Sequence, residues 1–188
     1  MEYKSRQPTL VPEDGEIRAP NENNIGTSSG GGQDKAEHIF VTDPLDGAAL
    51  QILRGVGRYF RSLDCAVIAE LPLADGRRCD LLALDPRGGI TIVEIKSCTA
   101  DFRADQKWPD YRQWCDRFYF AVNVAFPQAL IPADCGLILA DRFGAEIMRE
   151  APGHPLSGAR RKAVMLRFAR CAAFRLQEAI DPELRPLL

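Results

Sequence analysis

Glu70 to Ser97 reads ELPLADGRRCDLLALDPRGGITIVEIKS. Within it two apolar runs, Arg78–Leu84 and Ile90–Ser97, follow the turn signals Ala74-Asp75-Gly76 and Asp85-Pro86-Arg87-Gly88-Gly89. Gly and Pro at such points interrupt regular structure, and short runs rich in Leu, Ile and Val between them read as strands. Cys65–Leu71, just upstream, has the same character. Connections this short cannot carry a crossover, so the three strands form an antiparallel meander. Asp80, Glu94 and Lys96 stand inside segments otherwise composed for burial. A buried charge is costly unless it is paired or binds a metal.

Strand alternation puts Glu94 and Lys96 on one face, about 6 to 7 Å apart, and the meander can bring Asp80 alongside Glu94. Two neighbouring carboxylates repel and favour a cation between them. Mg²⁺ suits such a cluster, with Mn²⁺ as a substitute, because hard ions take oxygen ligands and complete their shells with water and phosphate oxygens. Asp80, Glu94 and the Ile95 carbonyl are the candidate metal ligands. Glu70 is a candidate further carboxylate, its other reading being an exposed residue beside Pro72. The ion would polarise a scissile phosphate and acidify a bound water, while Lys96 orients that water or neutralises developing charge. Asp80, Glu94 and Lys96 are therefore the candidate catalytic residues of a phosphodiester hydrolysis. An isolated Glu-x-Lys fits equally the solvated face of a half-buried sheet.

Outward from this centre, Thr42-Asp43-Pro44 places a capping side chain ahead of a proline suited to a first helical turn. Ala49, Ile52, Leu53, Val56, Phe60 and Leu63 then recur at helical spacing as a buried stripe. Arg54, Arg58 and Arg61 fall on another face, as a row that either touches phosphates or is a solvated helix surface. After the meander, DFRADQKWPDYRQWCDR predicts a crossover helix and RFYFAVNV a strand buried on both faces. Cys135–Asp141 and Ala145–Arg149 predict a further hairpin. Ser157–Glu178 predicts a closing helix with Met165, Ala169, Ala172 and Leu176 as its apolar stripe. The order αβββαβ with additions describes an α/β domain, a mixed central sheet flanked by helices.

The chain has 188 residues, 46% of them hydrophobic, enough for one full core. Residues 1–41 include RAPNENNIGTSSGGGQDK. They offer too little apolar surface to offset ordering entropy, so a disordered tail is expected ahead of one domain over 42–188. Residues 1–46 hold 4 basic and 9 acidic side chains, net −5; residues 47–188 hold 20 and 17, net +3. The folded part is mildly basic, which permits a nucleic acid partner. No apolar run approaches the roughly 18 residues of a membrane span, and the opening MEYKSRQPTL lacks the marks of a secretory leader. A cytoplasmic location and no membrane partner are expected. The six cysteines lie singly with no C-x-x-C pair, fitting reduced core residues rather than zinc ligands. There is no G-x-G-x-x-G, Walker loop or nucleophile elbow, so neither a nucleotide cofactor nor a metabolic α/β enzyme is indicated.

Asp80, thirteen residues, then Glu94-Ile95-Lys96 resembles the signature of the PD-(D/E)XK nuclease superfamily. The fuller wording, RGVGR, AELPLADGRR-x-DLLALD, VEIKS, DFRADQKWPDY, CDRFYFAV, CGLILAD and RKAVMLRFAR, resembles the MmcB family of bacterial DNA repair proteins within that superfamily. It covers about residues 47 to 180. The resemblance implies a restriction-endonuclease-like αβββαβ core with an extra β-hairpin and a C-terminal helix. It also implies DNA as the partner, and Asp80, Glu94 and Lys96 at the catalytic positions. Cys79 stands where the superfamily motif has proline, and the buried face of the first helix lacks the acid that many related nucleases place there. The alternative function is a DNA-binding or adaptor module that keeps the nuclease fold with weak or absent chemistry.

Lys107 and Tyr111, four apart, would share a helix face, and their spacing resembles the Q-x-x-x-Y element of RecB-like nucleases with Lys107 in place of glutamine. Lys107 there would meet a backbone phosphate. Trp108 and Trp114 either stack an unpaired base or belong to the core. Asp101 and Asp105 read as cap and surface charges. Arg160, Arg161, Lys162, Arg167, Arg170 and Arg175 read as a DNA track or as a solubilising surface.

Overall fold

Six strands form one sheet in the order β1 to β6: Ala66–Pro72, Arg78–Leu84, Ile90–Lys96, Arg117–Val122, Gly136–Ala140 and Ala145–Arg149. The computed structural model describes residues 47–105, 107–181 and 183. The expected tail over 1–41 and the expected helix start at Thr42-Asp43-Pro44 lie outside the described residues. β1, β2 and β3 are an antiparallel meander, β4 and β5 run parallel to β3, and β5 and β6 form a bulged antiparallel hairpin. This is the mixed α/β architecture that the strand and turn pattern anticipates. Phe118, Tyr119, Phe120, Ala121 and Val122 of β4 are all buried, as a central strand covered on both faces requires.

α1, Ala48–Ser62, lies on one face and buries Ile52, Gly55, Val56 and Phe60 against Leu81, Ala83, Val93, Ile95 and Ile138. The stripe is narrower than expected. Ala49 is exposed, and Leu63 lies past the last helical turn with 53% of its surface exposed. Gly55 is dictated by close approach. A Cβ there would stand 2.0 Å from the Asp141 carbonyl oxygen and 2.3 Å from that of Gly144. Three residues on, Arg58 Nη1 donates to the Arg142 carbonyl at 2.7 Å. α1 thus grips the β5–β6 turn with one glycine and one arginine.

The crossover between β3 and β4 departs from the expected single helix. It consists of α2, Thr99–Ala104, followed by a 3₁₀ helix over Trp108–Trp114. Asp105 is extended (φ −88°, ψ 94°) and Pro109 opens the 3₁₀ turn, where the missing N–H makes proline tolerable. With three residues per turn, Lys107 and Tyr111 no longer share a face. Trp108 stacks on Phe118 at 5.8 Å and meets Phe120 edge-on at 5.4 Å. The Trp114 Nε1 donates to Asp75 at 2.9 Å. Both tryptophans are half-buried packing residues on the second face of the sheet.

α3, Gly158–Ile180, closes that second face, its first turn capped by the Ser157 hydroxyl. The stripe it turns inward is Val164, Phe168, Cys171 and Ala172. Of the expected set only Ala172 faces the core; Met165, Ala169 and Leu176 point outward. The cause is that this helix is apolar on two sides, so periodicity alone picks the wrong one. Asp116 ties the layers together. Its carboxylate accepts from the backbone N–H of Ile90 and Leu156 and, in a two-pronged pair at 2.7 Å, from Arg161. All six cysteines are free thiols.

Candidate active site

The β2–β3 ladder ends at the pair Leu81↔Val93, and one residue further on stand Asp80 and Glu94. There the strands part, and the Asp80 carboxylate accepts the Ile95 N–H at 2.7 Å. A side chain thus does the work of the missing ladder bond. The neighbouring β1–β2 ladder also skips this level, passing from Ala69↔Leu81 to Leu71↔Cys79. Glu70, between them, adopts φ 55°, a left-handed conformation costing a non-glycine residue roughly 1–2 kcal/mol. Strain and parted strands open the sheet at one place.

The opening is a cleft of about 350 Å³ lined by Ala49, Leu50 and Leu53 of α1 with Glu70, Asp80, Glu94, Ile95, Lys96 and Asp101. An adjoining cleft of similar size shares Glu94, Lys96 and Asp101 and is walled by Arg77, Arg78, Asp105, Lys107 and Tyr111. Glu94 and Lys96 are only 6% and 4% exposed, and they are the buried charged residues among those described. Lys96 Nζ lies 2.7 Å from Asp105 Oδ2, 3.4 Å from Glu94 Oε1 and 3.9 Å from Asp101 Oδ1. The second oxygen, Glu94 Oε2, is buried without a hydrogen-bond partner.

These contacts set the charge states. Burial, reinforced by the Asp80 charge and only partly opposed by Lys96, pushes the Glu94 carboxyl up to about 8. Asp80 is also raised, chiefly by burial, although the Ile95 N–H and Lys96 pull the other way. For Lys96, burial alone would lower the value, but the Asp105 hydrogen bond and the surrounding carboxylates outweigh it and hold the ammonium charged. One cation among Asp80, Glu94, Asp101 and Asp105 leaves the cleft short of positive charge. Glu70 is paired with Arg78 on the cleft wall.

No group of three His, Cys, Asp or Glu side chains among the described residues is preformed for a metal ion. The donor set nonetheless fits Mg²⁺. Such ions need only one or two protein carboxylates and take waters and phosphate oxygens for the rest. Glu94 has an unpartnered oxygen, Oε2, and feels the Asp80 charge in the same cleft, so a cation there would relieve both burial and repulsion.

The structure brings Asp80, Glu94, Ile95, Lys96 and Glu70 to one cleft. Lys107 is exposed on the basic wall of the adjoining cleft. Tyr111 is buried, its hydroxyl donating to the Arg78 carbonyl at 3.0 Å, so it braces β2. Arg54 and Arg61 are exposed on α1, whereas Arg58 is committed to the β5–β6 turn. Sequence reasoning missed Asp105, taking as a surface charge the nearest partner of Lys96; Asp101 is exposed in the first turn of α2 as expected, 3.9 Å from Lys96.

Residues 41–183 match the model of a family described as DNA repair protein MmcB-like. A solved structure, the SPO1766 protein of unknown function from Silicibacter pomeroyi, is 43% identical, with 76% of this chain and 97% of that chain covered and a TM-score of 0.73. No curated protein matches. No helix among the described residues is long and apolar enough to cross a membrane.

Proposed function

Because this chain belongs to the MmcB-like family of DNA repair proteins, we propose that its cleft is the centre of a divalent-cation-dependent DNA phosphodiesterase of the PD-(D/E)XK type. The observation that supports this most is the buried, unpartnered Glu94 Oε2 in the cleft it shares with Asp80, where acids outnumber the single lysine. Burying a carboxyl oxygen without a partner costs free energy and persists where function requires it.

Asp80, Glu94 and the Ile95 carbonyl would hold Mg²⁺, or Mn²⁺ in its place. When bound, the ion would polarise the scissile phosphate and acidify a water. Lys96, kept charged by Asp105, is a poor base and a good electrostatic partner for negative charge developing on the phosphate. Asp80 fixes the strand opening through the Ile95 N–H, and Glu94 supplies the oxygen with no other partner. Lys107, Arg77 and Arg78 line the side from which a phosphate backbone would approach. Arg54 and Arg61 stand ready on α1 for more distant phosphates.

An adaptor role, binding DNA without cutting it, draws on a different observation. Lys96 is held 2.7 Å from Asp105, so its charge is already neutralised within the protein. Incubating the purified chain with labelled single-strand, duplex, flap and junction DNA, with Mg²⁺, Mn²⁺ or chelator, separates the two. The nuclease reading expects cleavage of at least one substrate that chelator stops. Binding without cleavage under every condition leaves the adaptor.

A further inference from the structure

α3 is apolar on the side away from the core as well as on the side facing it. At about 100° per residue, Met165, Leu166, Ala169, Ala173, Leu176 and Ile180 fall within an arc of roughly 100°. All six are exposed, with Leu166 at 55%, Leu176 at 61% and Ile180 at 75%. Leu166, Ala169, Ala173, Leu176 and Ile180 follow alternating steps of three and four, the spacing of a helix-pairing seam. The opposite side is occupied by Val164, Phe168, Cys171 and Ala172 in the core, by the Arg161–Asp116 pair and by Arg175 on the carbonyls of Ala69 and Glu70. The seam is thus the face of α3 with no packing of its own among the described residues.

We propose that this seam pairs with the same seam of a second copy of this chain, antiparallel, to make a homodimer. Two features favour self-pairing over another occupant. Run antiparallel, the seam matches large to small: Ile180 meets Ala169 of the partner subunit, and Leu176 meets Ala173 of the partner subunit. Large residues over small ones let helices approach closely. The charges are complementary as well. Arg170 lies about 40° beyond Leu166 at one edge of the seam, and Asp181, the C-cap, follows on the same side at the far end of the helix. A two-fold axis perpendicular to the antiparallel helices brings equal edges together, so Arg170 falls near Asp181 of the partner subunit. A parallel pair would instead leave Arg170 eleven residues along the axis from Asp181, out of its reach. The seam from Leu166 to Ile180 is about 21 Å long at about 1.5 Å per residue, a small interface, so the dimer should assemble in the micromolar range.

Sedimentation velocity on the full chain from about 1 to 200 µM tests this. The expected result is a concentration-dependent shift from 20.8 kDa toward twice that mass. Ala173→Glu should weaken association at least tenfold and leave thermal unfolding unchanged, since Ala173 is exposed; Leu176→Gln should do the same. Arg170→Glu should also weaken it, and Arg170→Glu with Asp181→Arg should restore it. A chain that sediments at 20.8 kDa throughout overturns the proposal, whether the seam is then covered by another protein or by a lipid surface. So does a dimer that Ala173→Glu and Leu176→Gln leave intact.

Discussion

Glu94 and Lys96 are two residues apart on one strand, and burial treats them in opposite ways. Lys96 finds a strong partner in Asp105 and stays charged; Glu94 finds a weaker share of Lys96 and a repelling Asp80. Its carboxyl, raised from 4.5 to about 8, keeps a proton in the folded chain that the unfolded chain releases. Between those values the folded state binds more protons, so stability falls as pH rises, by at most about 1.4 kcal/mol per pH unit for one group. Metal-free protein should therefore melt at progressively lower temperature from pH 5 to 8, and Glu94→Gln should flatten that slope. Mg²⁺ at pH 8 should raise the melting temperature of the wild type and not that of Glu94→Gln. Differential scanning fluorimetry across the pH series reads both effects. Asp105→Asn removes the nearest partner of Lys96, and single-turnover cleavage should slow about tenfold or more with DNA affinity unchanged. The charge pattern in the sequence identified Asp80, Glu94 and Lys96 because buried strands rarely carry charge. It could not assign Asp105, since an acid on a short polar segment looks the same whether it faces water or a buried lysine.

At the scale of elements, strand bounds were legible to within a residue or so because Gly and Pro mark the turns of the meander and branched residues fill the runs. The crossover was not. Helical spacing through DFRADQKWPDYRQWCDR is real, yet Pro109 and the extended Asp105 divide it into α2 and a 3₁₀ helix. That division turns Tyr111 inward under β2 and leaves Lys107 outside. Lys107→Ala should weaken DNA binding and reduce the slope of affinity against salt by about one unit, as loss of one phosphate contact does. Fluorescence anisotropy over a salt series measures it. The layers depend on Asp116, which nothing in the sequence distinguished from other acids. Burial opposes its charge, but the Arg161 hydrogen bonds and the N–H groups of Leu156 and Ile90 prevail and bring it down to about 2. A depressed carboxyl stabilises fully above its unfolded value, near 3.9, and that contribution disappears as pH falls from about 4 through 2. Asp116→Asn should cost about 2–4 kcal/mol at neutral pH and remove this part of the acid sensitivity, both measurable by urea unfolding.

For the whole molecule, the sheet opens where the β1–β2 ladder skips a level and the β2–β3 ladder ends, and the charges gather at that opening. A regular ladder would have closed the gap with backbone bonds between the Asp80 and Glu94 levels; the strained Glu70 and the Asp80 bond to Ile95 hold it open instead. On the proposed function, this opening hydrolyses DNA while affinity resides in cations spread around it. The most direct measurement sets wild type and Lys96→Ala side by side, with cleavage and binding read on the same labelled DNA in Mg²⁺. Transition-state charge is met at one reacting phosphate, whereas backbone affinity is shared among many contacts. Lys96→Ala should thus abolish cleavage and keep its affinity within about twofold, a change of roughly 0.4 kcal/mol. Equal cleavage by both proteins, or none by the wild type with either Mg²⁺ or Mn²⁺, would contradict it.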